Sequence, residues 1–253
     1  MAYKNLSFNS SSGETLSARL DLPEREPLAY ALFAHCFTCT KNFKAIDNIS
    51  RSLTDEGIAV FRFDFTGLGE SEGDFAETSF SSNVDDLLAA ARFMDGHYKP
   101  PAILIGHSLG GAAILQASSK IPSAVAVATI GAPADPGHLT RHLNEYKQQI
   151  ETEGEAEVSI AGRRFKIKKQ FLEDLEDTNM ETVIRNLNRA LIIFHSPLDD
   201  VVGVENAAKI FQTARHPKSF ISLDRADHLL SERRDSRYVG AMIATWAGRY
   251  INI

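Results

Sequence analysis

Residues 102–111 read Ala-Ile-Leu-Ile-Gly-His-Ser-Leu-Gly-Gly, and no other stretch limits the fold as tightly. The apolar run Ala102 to Ile105 suits a strand buried on both faces of a parallel sheet. Gly106-His107-Ser108-Leu109-Gly110 follows, and Ala112 to Ala117 are mostly good helix formers. Strand, Gly-x-Ser-x-Gly and helix together make a nucleophile elbow, a sharp turn that lifts a serine hydroxyl clear of the sheet edge. The glycines follow from space, because a Cβ at Gly106 or Gly110 would crowd that turn. The helix aims its first N–H groups at the site and favours negative charge developing there. By itself the triplet arises by chance in roughly one chain of this length in ten. Partners further along the chain must decide.

The order of elements sets where those partners can lie. Lys4 to Phe8 and Leu16 to Leu22 alternate apolar and polar residues around Ser10-Ser11-Ser12-Gly13, which predicts an antiparallel hairpin at a sheet edge. Leu28 to Ala34 is apolar enough for a central strand, and it runs into His35-Cys36-Phe37-Thr38-Cys39-Thr40. A helix is expected over 43–56, ended by Gly57, then a strand over 58–63. The glycine-rich loop Asp64 to Ser71 follows, and a helix over 83–94. Strands are expected at 124–130, 190–194 and 218–223, with helices near 205–213 and at the C-terminal end, where Val239, Met242, Ile243, Trp246 and Tyr250 share one face. Residues 134–186 break the rhythm. They offer a small hairpin (158–160 with 165–167) and a short helix from Gln170, but no central strand. The expectation is one α/β domain over 1–253, a doubly wound, mostly parallel sheet of about eight strands with helices on both faces. The 134–186 segment is then a small cap over the carboxyl edge, where ligands bind in such folds.

An elbow of this kind needs an acid and then a base later in the chain. The strand at 190–194 ends in His195-Ser196-Pro197-Leu198-Asp199-Asp200, so Asp199 is the expected acid, with Asp200 the neighbour that could exchange the role. The last strand is followed by Asp224-Arg225-Ala226-Asp227-His228, which places His228 as the base. A serine hydroxyl is a poor nucleophile until a base takes its proton, and a free imidazole titrates near pH ~6.5. The carboxylate orients that ring and stabilises its charged form. Two backbone N–H groups must hold the oxyanion, expected from Leu109 and Phe37. His107 is expected to point away from Ser108, while His35 and His195 brace loops. Asp64 reads as a loop brace and not as part of a phosphate loop, since no helix opening on Lys-Ser/Thr follows. Cys36 and Cys39 read as small buried thiols, with a redox or metal role as the alternative; two thiols without nearby second ligands are weak evidence for zinc. Arg163, Arg164, Lys166, Lys168 and Lys169 read as a solvated face.

Composition removes several classes. A net charge of −6 does not suit a phosphate backbone, so no nucleic-acid partner is expected. No apolar run approaches the roughly 18 residues that span a membrane. Met1 to Asn9 lacks the apolar segment of a signal peptide, which makes the cytoplasm the expected compartment.

These residues resemble the α/β-hydrolase superfamily over essentially the whole chain. Gly106 to Gly110 matches its elbow, His35 to Phe37 its oxyanion segment, Asp64 to Ser71 its Asp-x-x-Gly-x-Gly-x-Ser loop, and His195 to Val202 its acid loop. Cys36 and Ser196 stand where glycine is usual. Phe61 to Phe75 and His35 to Cys39 are closer still to the hydrolase half of bacterial proteins that fuse such a hydrolase to an OsmC-like domain. The resemblance implies a serine hydrolase that cleaves small-molecule esters of small or medium acyl groups through an acyl-enzyme, with no cofactor or metal. Thioesters and activated amides suit the same residues. A non-catalytic binding protein is the rival of another class.

Overall fold

The computed structural model describes residues 2–36, 39–138, 144–160 and 163–251. Ten strands are found among them: β1 (Ala2–Asn9), β2 (Thr15–Leu22), β3 (Ala29–Ala34), β4 (Ile58–Phe63), β5 (Ile103–His107), β6 (Ala126–Ile130), β7 (Glu155–Ile160), β8 (Arg163–Lys168), β9 (Ala190–His195) and β10 (Lys218–Ser222). Eight of them form one sheet in the order β1-β2-β4-β3-β5-β6-β9-β10. β1 and β2 run antiparallel to their neighbours, and every pair from β4 to β10 is parallel. The fold is thus the doubly wound, mostly parallel sheet of an α/β hydrolase.

Alternation along the central strands splits the core in two. Ile103 and Ile105 of β5 face one way, with Phe33, Ile130 and Phe194, and are covered by α1 (Lys44–Asp55) and by α8 (Arg233–Ala247) at the C-terminal end. Leu104 faces the other way, with Leu32, Val127 and Leu191, under α2 (Phe80–His97) and α3 (Leu109–Ala117). Each such side chain taken fully out of water contributes about 1.5–3 kcal/mol. α2 begins three residues earlier than the apolar pattern alone predicts. Ser79 accepts from the Ser82 N–H at 3.1 Å and Ser82 Oγ accepts in return from the Ser79 N–H at 2.8 Å, a reciprocal cap that fixes the start.

Between β6 and β9 the chain leaves the sheet. It forms α4 (Asn144–Glu153), the β7–β8 hairpin, α5 (Lys169–Glu176) and α6 (Met180–Arg185) before α7 (Glu205–Thr213) follows β9. Polar sequence hid α4 and α6, each of which commits few residues to the core: Ile150 in one, Met180 and Ile184 in the other. Phe75 packs edge-on against Phe165 at 5.5 Å, and Asp174 accepts from both the N–H and the hydroxyl of Ser81 at 2.6 Å. Arg164, Lys166, Lys168 and Lys169 each pair with a glutamate at the surface, Lys166 with Glu155 and Lys169 with Glu173 among them, as a solvated face should.

One buried carboxyl ties α2 to the glycine-rich loop. Asp86 accepts from the Thr66 N–H at 2.9 Å and from the Thr66 hydroxyl at 3.1 Å. Burial pushes its pKa up to about 6, more than the two Thr66 bonds pull it down. The folded chain therefore holds a proton that the unfolded chain releases near pH ~3.9. Stability from this group is complete below that pH and is lost as pH rises through about 6. Asp86→Asn is expected to gain on the wild type by up to about 3 kcal/mol between pH 4 and 7, read by chemical denaturation. A difference that stays constant over that range would contradict the assignment.

Candidate active site

At the end of β5 the backbone turns on Ser108, held at φ 55° and ψ −128°. A non-glycine residue with this geometry costs about 1–3 kcal/mol and persists only where its surroundings over-determine it. Here the Ser108 N–H donates to the Ile130 carbonyl at 2.8 Å, and the Gly111 N–H donates back to the Ser108 carbonyl at 2.8 Å. A Cβ on Gly106 would meet the Gly110 carbonyl oxygen at 2.4 Å, and one on Gly110 would meet the His35 carbonyl oxygen at 2.4 Å. Leu109 opens α3, so its N–H has no acceptor within the helix.

Two other carboxyl ends meet this turn. Beyond β9 the chain loops back so that the His195 Nε2–H donates to the Val202 carbonyl at 2.7 Å, closing the loop around Asp199. Asp199 Oδ1 accepts from the N–H groups of Val201 (3.0 Å) and Val202 (2.8 Å). Beyond β10 the Leu223 N–H donates to the His195 carbonyl at 2.8 Å, and a short turn then delivers His228. His228 Nδ1–H donates to Asp199 Oδ2 at 2.8 Å, which leaves Nε2 to accept from the Ser108 hydroxyl at 3.0 Å. Residues 29 and 120 positions away in sequence thus form one hydrogen-bonded line with His228, and all three are buried. Asp200 is exposed.

The electrostatics follow from those contacts. Burial alone would raise the Asp199 carboxyl. The hydrogen bond and charge of His228, with the two backbone N–H groups, outweigh it and hold the carboxyl below the ordinary range. His107 donates from Nε2 to the His228 carbonyl at 2.7 Å, so its ring braces the His228 backbone and does not touch the serine hydroxyl. Burial, reinforced by the charge of His228, pushes His107 down to about 3 and keeps it neutral.

The loop after β3 departs from expectation. Phe37, the second expected oxyanion donor, lies outside the described residues. Cys36 and Cys39 are not free thiols: they form a disulfide, with Cα atoms 5.2 Å apart. The turn that closes them, Cys39 N–H to the Cys36 carbonyl at 3.0 Å, brings the two residues into the range such a bond requires. The Cys-x-x-Cys spacing was the available signal. Among the described residues, His107 completes a group of three potential metal ligands with these cysteines, within 4.8 Å, but sulfurs bonded to each other are not thiolate ligands.

His35 Nδ1–H donates to the Cys36 carbonyl at 2.7 Å, and burial holds its ring below the usual imidazole range. Lys41 is buried, a feature that a lone lysine in sequence does not announce. Its N–H and its ammonium group both donate to Asp64, at 2.6 and 2.7 Å, and the ammonium also reaches Glu70 at 2.6 Å. Asp64 therefore braces the loop and is not positioned as part of a phosphate cradle.

Known proteins share this arrangement of elements. The family described as serine aminopeptidase, S33, matches residues 39–150. A curated relative, mouse palmitoyl-protein thioesterase ABHD10, mitochondrial, is 28% identical over 199 residues, 76% of this chain and 65% of that protein. The match thus spans just under two thirds of that relative's length. The crystal structure of the esterase domain from a Rhodothermus marinus protein is 53% identical, covers 99% of this chain and 100% of its own, and superposes with a TM-score of 0.82. Est1E from Butyrivibrio proteoclasticus, solved with ferulic acid bound, shares the fold at 17% identity, with a TM-score of 0.81 over 98% of this chain and 100% of its own. With an eight-stranded sheet of this order and a relative matched over its whole domain at that identity, the chain belongs to the α/β-hydrolase superfamily.

Proposed function

We propose that the chain is a serine hydrolase that cleaves carboxylic esters of small or medium acyl groups through an acyl-enzyme. The observation that carries this reading is the line Ser108–His228–Asp199, at 3.0 and 2.8 Å. Ser108 Oγ attacks the ester carbonyl while His228 Nε2 takes its proton. The oxyanion is held by the N–H of Leu109 and, by the sequence assignment, that of Phe37. The imidazolium, steadied by Asp199, returns the proton to the departing alcohol and leaves acyl-Ser108. A water molecule then gives its proton to His228, attacks the acyl carbonyl and releases the acid, restoring the Ser108 hydroxyl. The route so written uses no metal or cofactor.

Phe65, Leu68 and Ala113 line a small recess beside Leu109, and Leu198 and Val201 are exposed on the acid loop. We read the 134–186 segment as a cap to this site. The Rhodothermus relative, named as an esterase domain, supports ester chemistry. A second reading, thioester hydrolysis with a thiolate leaving group, is favoured by the ABHD10 match.

A panel of p-nitrophenyl esters from acetate to palmitate, an acyl-CoA series and aminoacyl amides separates the readings. Turnover is expected on the short esters, falling with chain length, and at least ~10⁴-fold lower in Ser108→Ala. Turnover of thioesters alone would replace the ester assignment. Asp199→Asn is expected to lower kcat by about 10⁴-fold while the chain stays folded, because the ring loses its orienting acceptor. Because Asp199 is held below the ordinary carboxylate range, it stays ionised in mild acid. The acid limb of kcat/KM above pH ~4 should therefore fall with the slope of a single proton. A slope of two would place a second titrating group in the mechanism.

A further inference from the structure

The Cys36–Cys39 pair takes no part in the steps above, yet it sits in the middle of the loop that leads from β3 to α1. That loop is anchored at both ends. At one end the carbonyls of Ala34 and His35 press on Gly110, so closely that a Cβ there would lie 2.6 and 2.4 Å from their oxygens. At the other, Lys41 is clasped by Asp64 and Glu70, and its carbonyl accepts from Arg62. Between the anchors the disulfide closes residues 36–39 into a four-residue ring, with both cysteines buried. The two sulfurs also lie within 4.8 Å of a ring nitrogen of His107, the residue immediately before Ser108.

We propose that Cys36–Cys39 is a redox-sensitive positioning site: the disulfide form holds the oxyanion loop in register with Ser108, and reduction by a dithiol slows the ester chemistry. The proposal rests on the serine-hydrolase reading. An oxyanion hole works because its donors are fixed before charge develops, within about 2.7–3.1 Å of where the oxygen will be. A cross-link over four residues removes backbone freedom from that segment, and its loss returns the freedom while both anchors remain. The exchange is balanced in electrons. A reductant thiolate attacks one sulfur and expels the other as a thiolate; the reductant's second thiol then attacks its own sulfur in the mixed disulfide. Two electrons and two protons pass to the cysteines, and the reductant leaves as a cyclic disulfide.

The test compares the full chain in its oxidised, dithiothreitol-reduced and reoxidised forms, with the cysteine state of each verified by alkylation and intact mass. Reduction is expected to lower kcat on a short p-nitrophenyl ester about tenfold, less than the ~10²–10³-fold lost with a whole oxyanion donor, with KM nearly unchanged. Reoxidation should restore the rate. The double variant Cys36→Ser/Cys39→Ser should run at the reduced rate and ignore dithiothreitol. Amide exchange in a 34–42 peptide should rise on reduction, while exchange in β5 and α3 stays as it was. Equal kcat in the two verified states, or a dithiothreitol response that survives in the double variant, would overturn the proposal. If neither state turns over any ester, the serine-hydrolase reading fails on its own. Exchange at 34–42 still decides whether the disulfide positions the loop, and unchanged exchange there would overturn that too.

Discussion

A strained serine is what the rest of this structure accommodates. Ser108 stands at φ 55° because the chain must reverse from β5 into α3 within two residues and still leave its hydroxyl facing outward. Nothing local favours that conformation in a residue with a Cβ. It is enforced by hydrogen bonding to β6 and by packing of α3 so close to β3 and β5 that only glycine fits at 106 and 110. The cost, about 1–3 kcal/mol, is small beside the burial that α3 and β5 provide, with Leu104, Ile105, Ile114 and Leu115 all fully inside.

The parallel register then does for distance in sequence what the elbow does for direction. β5, β6, β9 and β10 lie side by side and point the same way, so their carboxyl ends share one rim. Loops leaving that rim need only a few residues to meet. The loop after β9 is closed by His195 on Val202, and the loop after β10 is tied to it by Leu223 on His195. His228 thereby has its ring held at both nitrogens and its carbonyl held by a neutral His107. An arrangement with so few unfixed torsions is pre-organised, as the proposed attack by Ser108 requires.

How much of this could be read in the chain varied with the range of the forces involved. Strands buried on both faces announce themselves as apolar runs, so β3 to β6 and β9 were legible, as was the side on which the loops emerge. Ser108 and Asp199 were legible because each falls just past such a run, and His228 because it follows the last expected strand, β10, which is only partly buried. What escaped has two physical sources. The first is polar or weakly apolar sequence that folds only through a few contacts: α4 is secured by Ile150, and the start of α2 by a serine cap and not by its apolar face. The second is pairing that depends on approach in space. The disulfide needed the turn at 36–39, and the burial of Lys41 needed Asp64 to be waiting on a loop 23 residues away. Asp86 shows an intermediate case, a charged residue at a spacing that places it on the buried face with Asn83 and Ala90.

The account comes down to which atom forms the covalent bond with the acyl group. Reaction of the folded chain with a fluorophosphonate, followed by peptide mapping, reads this directly. A single adduct on Ser108 is predicted, formed far more slowly in His228→Ala and absent in Ser108→Ala. An intact, folded protein that never reacts there, or that carries the adduct on another residue, would contradict it.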